Sequence, residues 1–174
     1  MQDHKRSTRW LWTVLYVLAL GSLALGQTSG STSGLHYINT SCENASPLYW
    51  EIDPNGLVHL YLVYDLERSS PNRANGHWLF EIQAAPGTEL TLMLHNFHNV
   101  WNGRKGSPLD HRTIGFVSDD GRTWRPIPLE TTGDNCLRFR VTVRTGSLYA
   151  ARLEPYRLSD LERFKQKIAD HSLV

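Results

Sequence analysis

The chain has 174 residues, of which 40% are hydrophobic and 20% are charged, and its formal net charge is +1. This length predicts one domain whose core is large enough that no disulfide or metal staple is obligatory. The nearly balanced charge argues against a nucleic-acid-binding surface, because phosphate binding needs clustered positive charge.

The first 26 residues differ in composition from the rest of the chain. Three basic residues precede an uncharged run at 10–26, which ends with small residues at Ala24 and Gly26. This pattern predicts a signal-peptide helix that is cleaved before Gln27, and hence a secreted or periplasmic protein with no stable membrane anchoring. The alternative is an uncleaved membrane anchor, but the run of 17 residues is at the short limit for crossing a bilayer.

Residues 27–34 form a Gly/Ser/Thr-rich stretch that predicts a flexible linker. After it, apolar and polar residues alternate in short runs, which predict β-strands. The runs lie at 35–41, 57–65, 77–85, 89–97, 136–144 and 147–154. Turn-forming sequences such as "DPNG" and "TTGDN" separate them. The pattern predicts an all-β fold over 35–157, an antiparallel, jelly-roll-like β-sandwich of about seven to nine strands.

Two cysteines, Cys42 and Cys136, are 94 positions apart. In an oxidising compartment an even pair predicts a disulfide. Chain entropy would give such a bridge about 4–5 kcal/mol of stabilisation. The alternative of two buried free thiols remains open.

The stretch "HNFHNVWNGRKG" at 95–106 is the segment most typical of a ligand-binding loop. Aromatic rings and amide side chains together bind carbohydrate or peptide through stacking and paired hydrogen bonds. The candidate ligand-binding residues are Asn96, Asn99, Trp101, Asn102 and Arg104. The alternative is a long loop whose own asparagine side chains hold its turns.

The last segment, 158–174, predicts one amphipathic α-helix that follows the sandwich. Ser159 and Glu162 have the spacing of a capping box. Leu161, Phe164 and Ile168 recur at helical spacing, so they form an apolar stripe. A stripe of this kind predicts a contact with another surface.

Motifs of known catalytic chemistry are absent from the sequence. It contains no G-x-S-x-G, H-E-x-x-H, paired C-x-x-C or H-x-x-E pattern. His95 and His98 are three residues apart, and on a strand they would point to opposite faces. We therefore predict no catalytic residue, no metal ligand and no cofactor in this chain, and no enzymatic activity for the chain alone.

Four motifs, taken in order and spacing, resemble the N-terminal β-sandwich domain of zinc metallocarboxypeptidases of the cytosolic-carboxypeptidase type and their bacterial relatives. The resemblance spans 35–174. The motifs are Trp78 with Phe80, Leu94 to Phe97, Ser118 to Trp124, and Leu148 to Tyr156.

The resemblance implies that the C-terminal helix leads into a catalytic α/β domain that this chain lacks. Zinc is expected in that missing domain, which would be the partner, in cis or as a separate chain. The stripe of Leu161, Phe164 and Ile168 would then form the interdomain contact, and this chain would be a non-catalytic accessory domain. The alternative is a free-standing secreted module that binds carbohydrate or peptide through Trp101 and the asparagine-rich loop.

Signal cleavage is directly testable on the secreted product. We expect intact-mass spectrometry to give the mass of a chain that begins at Gln27, because the small residues before it are typical of a signal-peptidase site. A product that retains residues 1–26 and partitions with membranes would contradict the prediction.

Overall fold

The computed structural model describes residues 34–63, 73–74, 76–97, 99–106, 113–133 and 135–170. The predicted signal peptide (1–26), nearly all of the predicted linker (27–34) and the last four residues of the predicted helix segment lie outside the described residues. Within the described ranges, no helix is long and apolar enough to cross a bilayer.

Thirteen strands and one helix form in the described ranges. In chain order they are β1 (Leu35–Asn39), β2 (Leu48–Ile52), β3 (Val58–Leu62), β4 (Arg73–Ala74), β5 (Leu79–Ala84), β6 (Thr88–His95), β7 (Asn99–Trp101), β8 (Arg104–Gly106), β9 (Ile114–Ser118), β10 (Arg125–Pro128), β11 (Glu130–Thr132), β12 (Cys136–Val143), β13 (Ser147–Ala151) and α1 (Leu158–Ala169).

Ten of these strands make two five-stranded sheets. The first sheet has the order β1-β5-β13-β9-β10, and the second has the order β11-β12-β6-β3-β2. The predicted all-β sandwich followed by one helix is thus confirmed, with a few more strands than expected because several are only three to five residues long. One pairing departs from the antiparallel pattern, since β3 runs parallel to β6. The strands β4, β7 and β8 form a separate small sheet.

The core lies between the two large sheets, and burial alternates along β3 and β6. On β6, Leu90, Leu92 and Leu94 are buried, and on β12 the register places Phe139 opposite Leu92. The first sheet and the residue before β5 contribute further side chains to the same cluster: Trp78, Phe80, Ile82 and Leu148. Because successive side chains of a strand point to opposite faces, the residues between these positions form the outer face of each sheet.

The helix begins earlier than its sequence predicts. Its N-cap is Arg157, and the Asp160 carboxylate accepts a hydrogen bond from the Arg157 backbone N–H at 2.9 Å. The predicted capping box of Ser159 and Glu162 is therefore wrong. A carboxylate three residues after the N-cap can accept a hydrogen bond from a free backbone N–H at the start of a helix. Arg157 is the N-cap because its side chain makes further contacts, which are described below. No residue of α1 is buried.

Cys42 and Cys136, both within the described residues, do not form the predicted disulfide. Cys42 follows β1 of the first sheet, and burial together with the nearby Glu81 carboxylate raises the pKa of its thiol. Cys136 opens β12 of the second sheet, where its sulfur contacts His95. The two cysteines therefore belong to different parts of the fold, Cys42 to the loop after β1 and Cys136 to β12.

The central position of Phe80 can be tested by truncation. Phe80 is fully buried, so we expect Phe80→Ala to lower the free energy of unfolding by about 3–5 kcal/mol in urea denaturation. The matched control is Ile114→Ala on β9, where the side chain is 55% exposed and a change of about 0.5 kcal/mol or less is expected. Equal losses for the two variants would contradict this assignment of the core.

Candidate functional site

The predicted ligand-binding loop is a β-hairpin. Asn102 and Gly103 connect β7 to β8, and both have positive φ angles, of 48° and 75°. Two central residues with positive φ define a type I′ turn, for which Asn-Gly is the preferred pair. Asn102 therefore occupies a central position of this turn.

The other loop candidates have different environments. Asn96 also has a positive φ, of 68°, and its side-chain amide donates a hydrogen bond to the Leu62 carbonyl at 3.1 Å. Asn99 lies on β7 and is half-buried, whereas Arg104 on β8 is exposed. The side chain of Trp101 lies outside the described part of the structure. A ligand-binding role for these residues stays a prediction.

A stack of aromatic rings, which the sequence interpretation missed, lies on the outer face of the second sheet. Tyr49 stacks on Tyr61 with ring centroids 4.6 Å apart, and Tyr61 stacks on His95 at 4.5 Å. His59 continues the stack, 5.0 Å from His95. These residues come from β2, β3 and β6, and the parallel pairing of Tyr61 with His95 brings them together.

A chain of polar contacts runs through the two histidines. The sulfur of Cys136 lies 3.1 Å from His95 Nδ1, and His95 Nε2 lies 2.8 Å from His59 Nδ1. His59 Nε2 in turn faces the Asp53 carboxylate at 3.7 Å. An ionised Asp53 favours the proton on His59 Nε2, so His59 Nδ1 accepts from His95 Nε2 and His95 Nδ1 is left to accept from the thiol. This order of donors and acceptors holds for that pair of histidine tautomers.

This arrangement does not converge on one point. Cys136 and His59 contact opposite nitrogens of the His95 ring, so the three side chains cannot bind the same ion. Across the described residues, no group of three or more His, Cys, Asp and Glu side chains is placed to hold a metal. These contacts link side chains of β3, β6 and β12 on the outer face of the second sheet.

The predicted interdomain stripe is exposed. Leu161, Phe164 and Ile168 are 38%, 53% and 42% exposed. Three more apolar side chains precede them along the chain and are also exposed. We call the six together the C-terminal apolar face: Leu153, Tyr156, Leu158, Leu161, Phe164 and Ile168.

Polar contacts hold the start of α1 against the first sheet. The guanidinium of Arg157 donates to the Gly121 carbonyl at 2.6 Å and also contacts Asp160 at 3.3 Å. The Ser159 N–H donates to the Glu43 carboxylate at 2.9 Å, and hydrogen bonds from Ser159 lower the pKa of Glu43. These contacts, which we call the helix latch, fix the direction in which the helix leaves the sandwich.

The turn that presents the Gly121 carbonyl is itself organised by Asp120. Its carboxylate accepts hydrogen bonds from the backbone N–H groups of Thr123 at 2.7 Å and Arg122 at 2.8 Å, and from the Ser118 hydroxyl at 2.9 Å. These bonds favour the ionised form and hold the pKa of Asp120 far below its usual range. Gly121 has a φ of +67°, and a side chain there would meet the Tyr149 ring at 3.2 Å.

Known proteins share this fold. No protein-family model matches the chain, and no curated protein matches it either. Several solved structures do. Carboxypeptidases are among them. The metallo-carboxypeptidase from Burkholderia cenocepacia matches with a TM-score of 0.60 and 16% identity, over 77% of this chain and 33% of that one. A metallo-carboxypeptidase from Pseudomonas aeruginosa matches with a TM-score of 0.58 and 20% identity, over 76% of this chain and 33% of that one.

A further match, to a Burkholderia mallei protein described as a carboxypeptidase, has a TM-score of 0.62 and 16% identity over 81% of this chain and 34% of that one. The chain therefore spans about a third of the length of each of these structures. At such low identity, the likeness shows that this chain has the fold of one part of these carboxypeptidases.

The role of Asp120 predicts a pH-dependent stability difference. Its pKa is lowered on folding, so its contribution is complete above the unfolded value of about 3.9 and is lost as the pH falls below it. We expect Asp120→Asn to lower the melting temperature at pH 7, and the difference from wild type to shrink progressively below pH 4.

The matched control is Glu154→Gln, because Glu154 is an exposed carboxylate outside this turn. We expect this variant to melt like the wild type at pH 7. A deficit for Asp120→Asn that stays constant from pH 7 to pH 3 would contradict a role for the ionised carboxylate.

Proposed function

We propose that this chain is a non-catalytic, N-terminal accessory domain of a zinc carboxypeptidase-like hydrolase. The domain is exported from the cytoplasm and packs on the catalytic domain through the C-terminal apolar face. The single observation that carries the proposal is the exposure of Leu161, Phe164 and Ile168 on a helix that the sandwich orients but does not cover.

The energetics of α1 support a partner surface. The helix has only 12 residues, and an isolated helix of that length is marginal in water. Full burial of a Leu, Ile or Phe side chain contributes about 1.5–3 kcal/mol. Covering the three stripe residues would therefore add to the modest net stabilisation that the hydrogen bonds of the latch supply.

The comparisons support the identity of the partner. The matched carboxypeptidases contain about two-thirds of a chain beyond the part that shares this fold. The described residues of this chain hold no three-ligand metal group. We therefore assign zinc, substrate binding and catalysis to the partner domain, and assign to this chain the role of covering part of that domain and shaping the approach to its active site.

The alternative, a free-standing module that binds carbohydrate or peptide, has less support. Asn96 and Asn102, two of its candidate contacts, serve a backbone hydrogen bond and a type I′ turn. This alternative rests on the remaining candidates, Asn99, Trp101 and Arg104.

The proposal is tested by assembly in solution. The chain is co-expressed with a metallocarboxypeptidase catalytic domain encoded in the same genome, in the same or a neighbouring reading frame. We expect co-elution in size-exclusion chromatography, and we expect Phe164→Glu together with Ile168→Glu to abolish it, because two charges would be desolvated in an apolar contact.

The matched control is Lys165→Glu together with Lys167→Glu, which adds two acidic residues to the same helix outside the stripe. We expect this control to co-elute normally. Co-elution that survives the Phe164 and Ile168 changes, or a genome with no such catalytic domain, would overturn the proposal.

A further inference from the structure

A cavity of about 500 Å³ is formed by residues of both large sheets. It lies at the opposite end of β6 and β12 from the aromatic stack, and it belongs to neither the hairpin nor the C-terminal apolar face. Its lining residues are Glu89, Leu90, Thr91, Arg125, Arg140, Val141, Thr142 and Arg144.

The cavity has an excess of positive charge. Three arginines face one carboxylate, that of Glu89. Arg125, Arg140 and Arg144 make no ion pair with any residue that the structure describes. Arg138 lies on β12 with Arg140, but it pairs with Glu130 at 2.8 Å. The three arginines of the cavity therefore differ from Arg138, because none of them pairs with an acidic residue that the structure describes.

Arg125 gives the strongest argument that the cavity binds an anion. Its Nε atom is buried and has no hydrogen-bond partner among the described residues. Leaving a buried donor of a charged group unsatisfied is costly, more so than for a neutral group. A planar guanidinium matches an oxyanion in two parallel hydrogen bonds, so an anion in the cavity would remove this cost.

We propose that this cavity binds a compact oxyanion with two or more negative charges: phosphate, sulfate or a small polycarboxylate. Arg125 holds the anion from the first sheet, and Arg140 and Arg144 hold it from the second. The hydroxyls of Thr91 and Thr142 line the same cavity and supply further donors. The proposal is independent of the carboxypeptidase assignment, since it rests only on this chain's own residues.

The test is isothermal titration calorimetry of the purified chain with phosphate, sulfate and citrate, with acetate as the monovalent comparison. We expect saturable binding of at least one multivalent anion and none of acetate. Arg140→Gln should weaken that binding about tenfold or more, because it removes a charge-assisted hydrogen bond. Glu89→Gln should strengthen it, because a like charge leaves the cavity.

The matched control is Arg138→Gln, which removes the same charge from the same strand outside the cavity. Binding by this variant should equal that of the wild type. Arg125 is half-buried, so its substitution is paired with a thermal melt, and the exposed Arg140 and Arg144 keep the test valid if Arg125→Gln unfolds. The proposal is overturned if no multivalent anion binds, or if Arg138→Gln loses as much affinity as Arg140→Gln.

Discussion

The pairing of β6 with β12 is the constraint on which the rest of the structure depends. Seven consecutive residues of each strand are in register, from Leu94 opposite Leu137 to Thr88 opposite Val143. Because side chains alternate along both strands, this one register sends the apolar set into the core and the polar set to the outer face. A slip of one residue would exchange the two sets. The same register therefore buries the leucines and places the histidine and arginine side chains on the outer face.

The outer face of β6 and β12 carries a different group of side chains at each end of the strand pair. At one end it places His95 beside Cys136, and β3 adds His59 and Tyr61. At the other end it places Thr91 opposite Arg140, within the anion cavity. The two groups are separated along the strands, so the chemistry of one does not depend on the other.

Local signals in the sequence were enough for the fold class. Alternation identified the strands of the core, and the helical spacing of Leu161, Phe164 and Ile168 correctly indicated a C-terminal helix. The Asn-Gly pair at Asn102 and Gly103 carried a clear hairpin signal, yet the surrounding aromatic and amide residues suggested a ligand loop instead.

Non-local contacts were beyond the reach of sequence reasoning. The parallel pairing of β3 with β6 joins strands that are not neighbours in sequence, and it creates the His59 and His95 contact. The disulfide was predicted from an even number of cysteines and an oxidising compartment, neither of which says where in the fold each cysteine lies. The capping box failed for a similar reason, because a contact between Arg157 and Gly121, 36 residues apart, fixed where the helix begins.

The helix latch and the C-terminal apolar face have complementary physical roles. The part-buried hydrogen bonds of Arg157 and Asp160 and the exposed one of Glu43 each contribute only modest net stability, but they are directional. Apolar contacts contribute more stability but have little direction of their own. The latch therefore orients the helix before any partner binds, and an oriented helix loses less conformational entropy when its apolar face is covered. The turn around Asp120 supports the helix latch, because it positions the Gly121 carbonyl to which the Arg157 guanidinium donates.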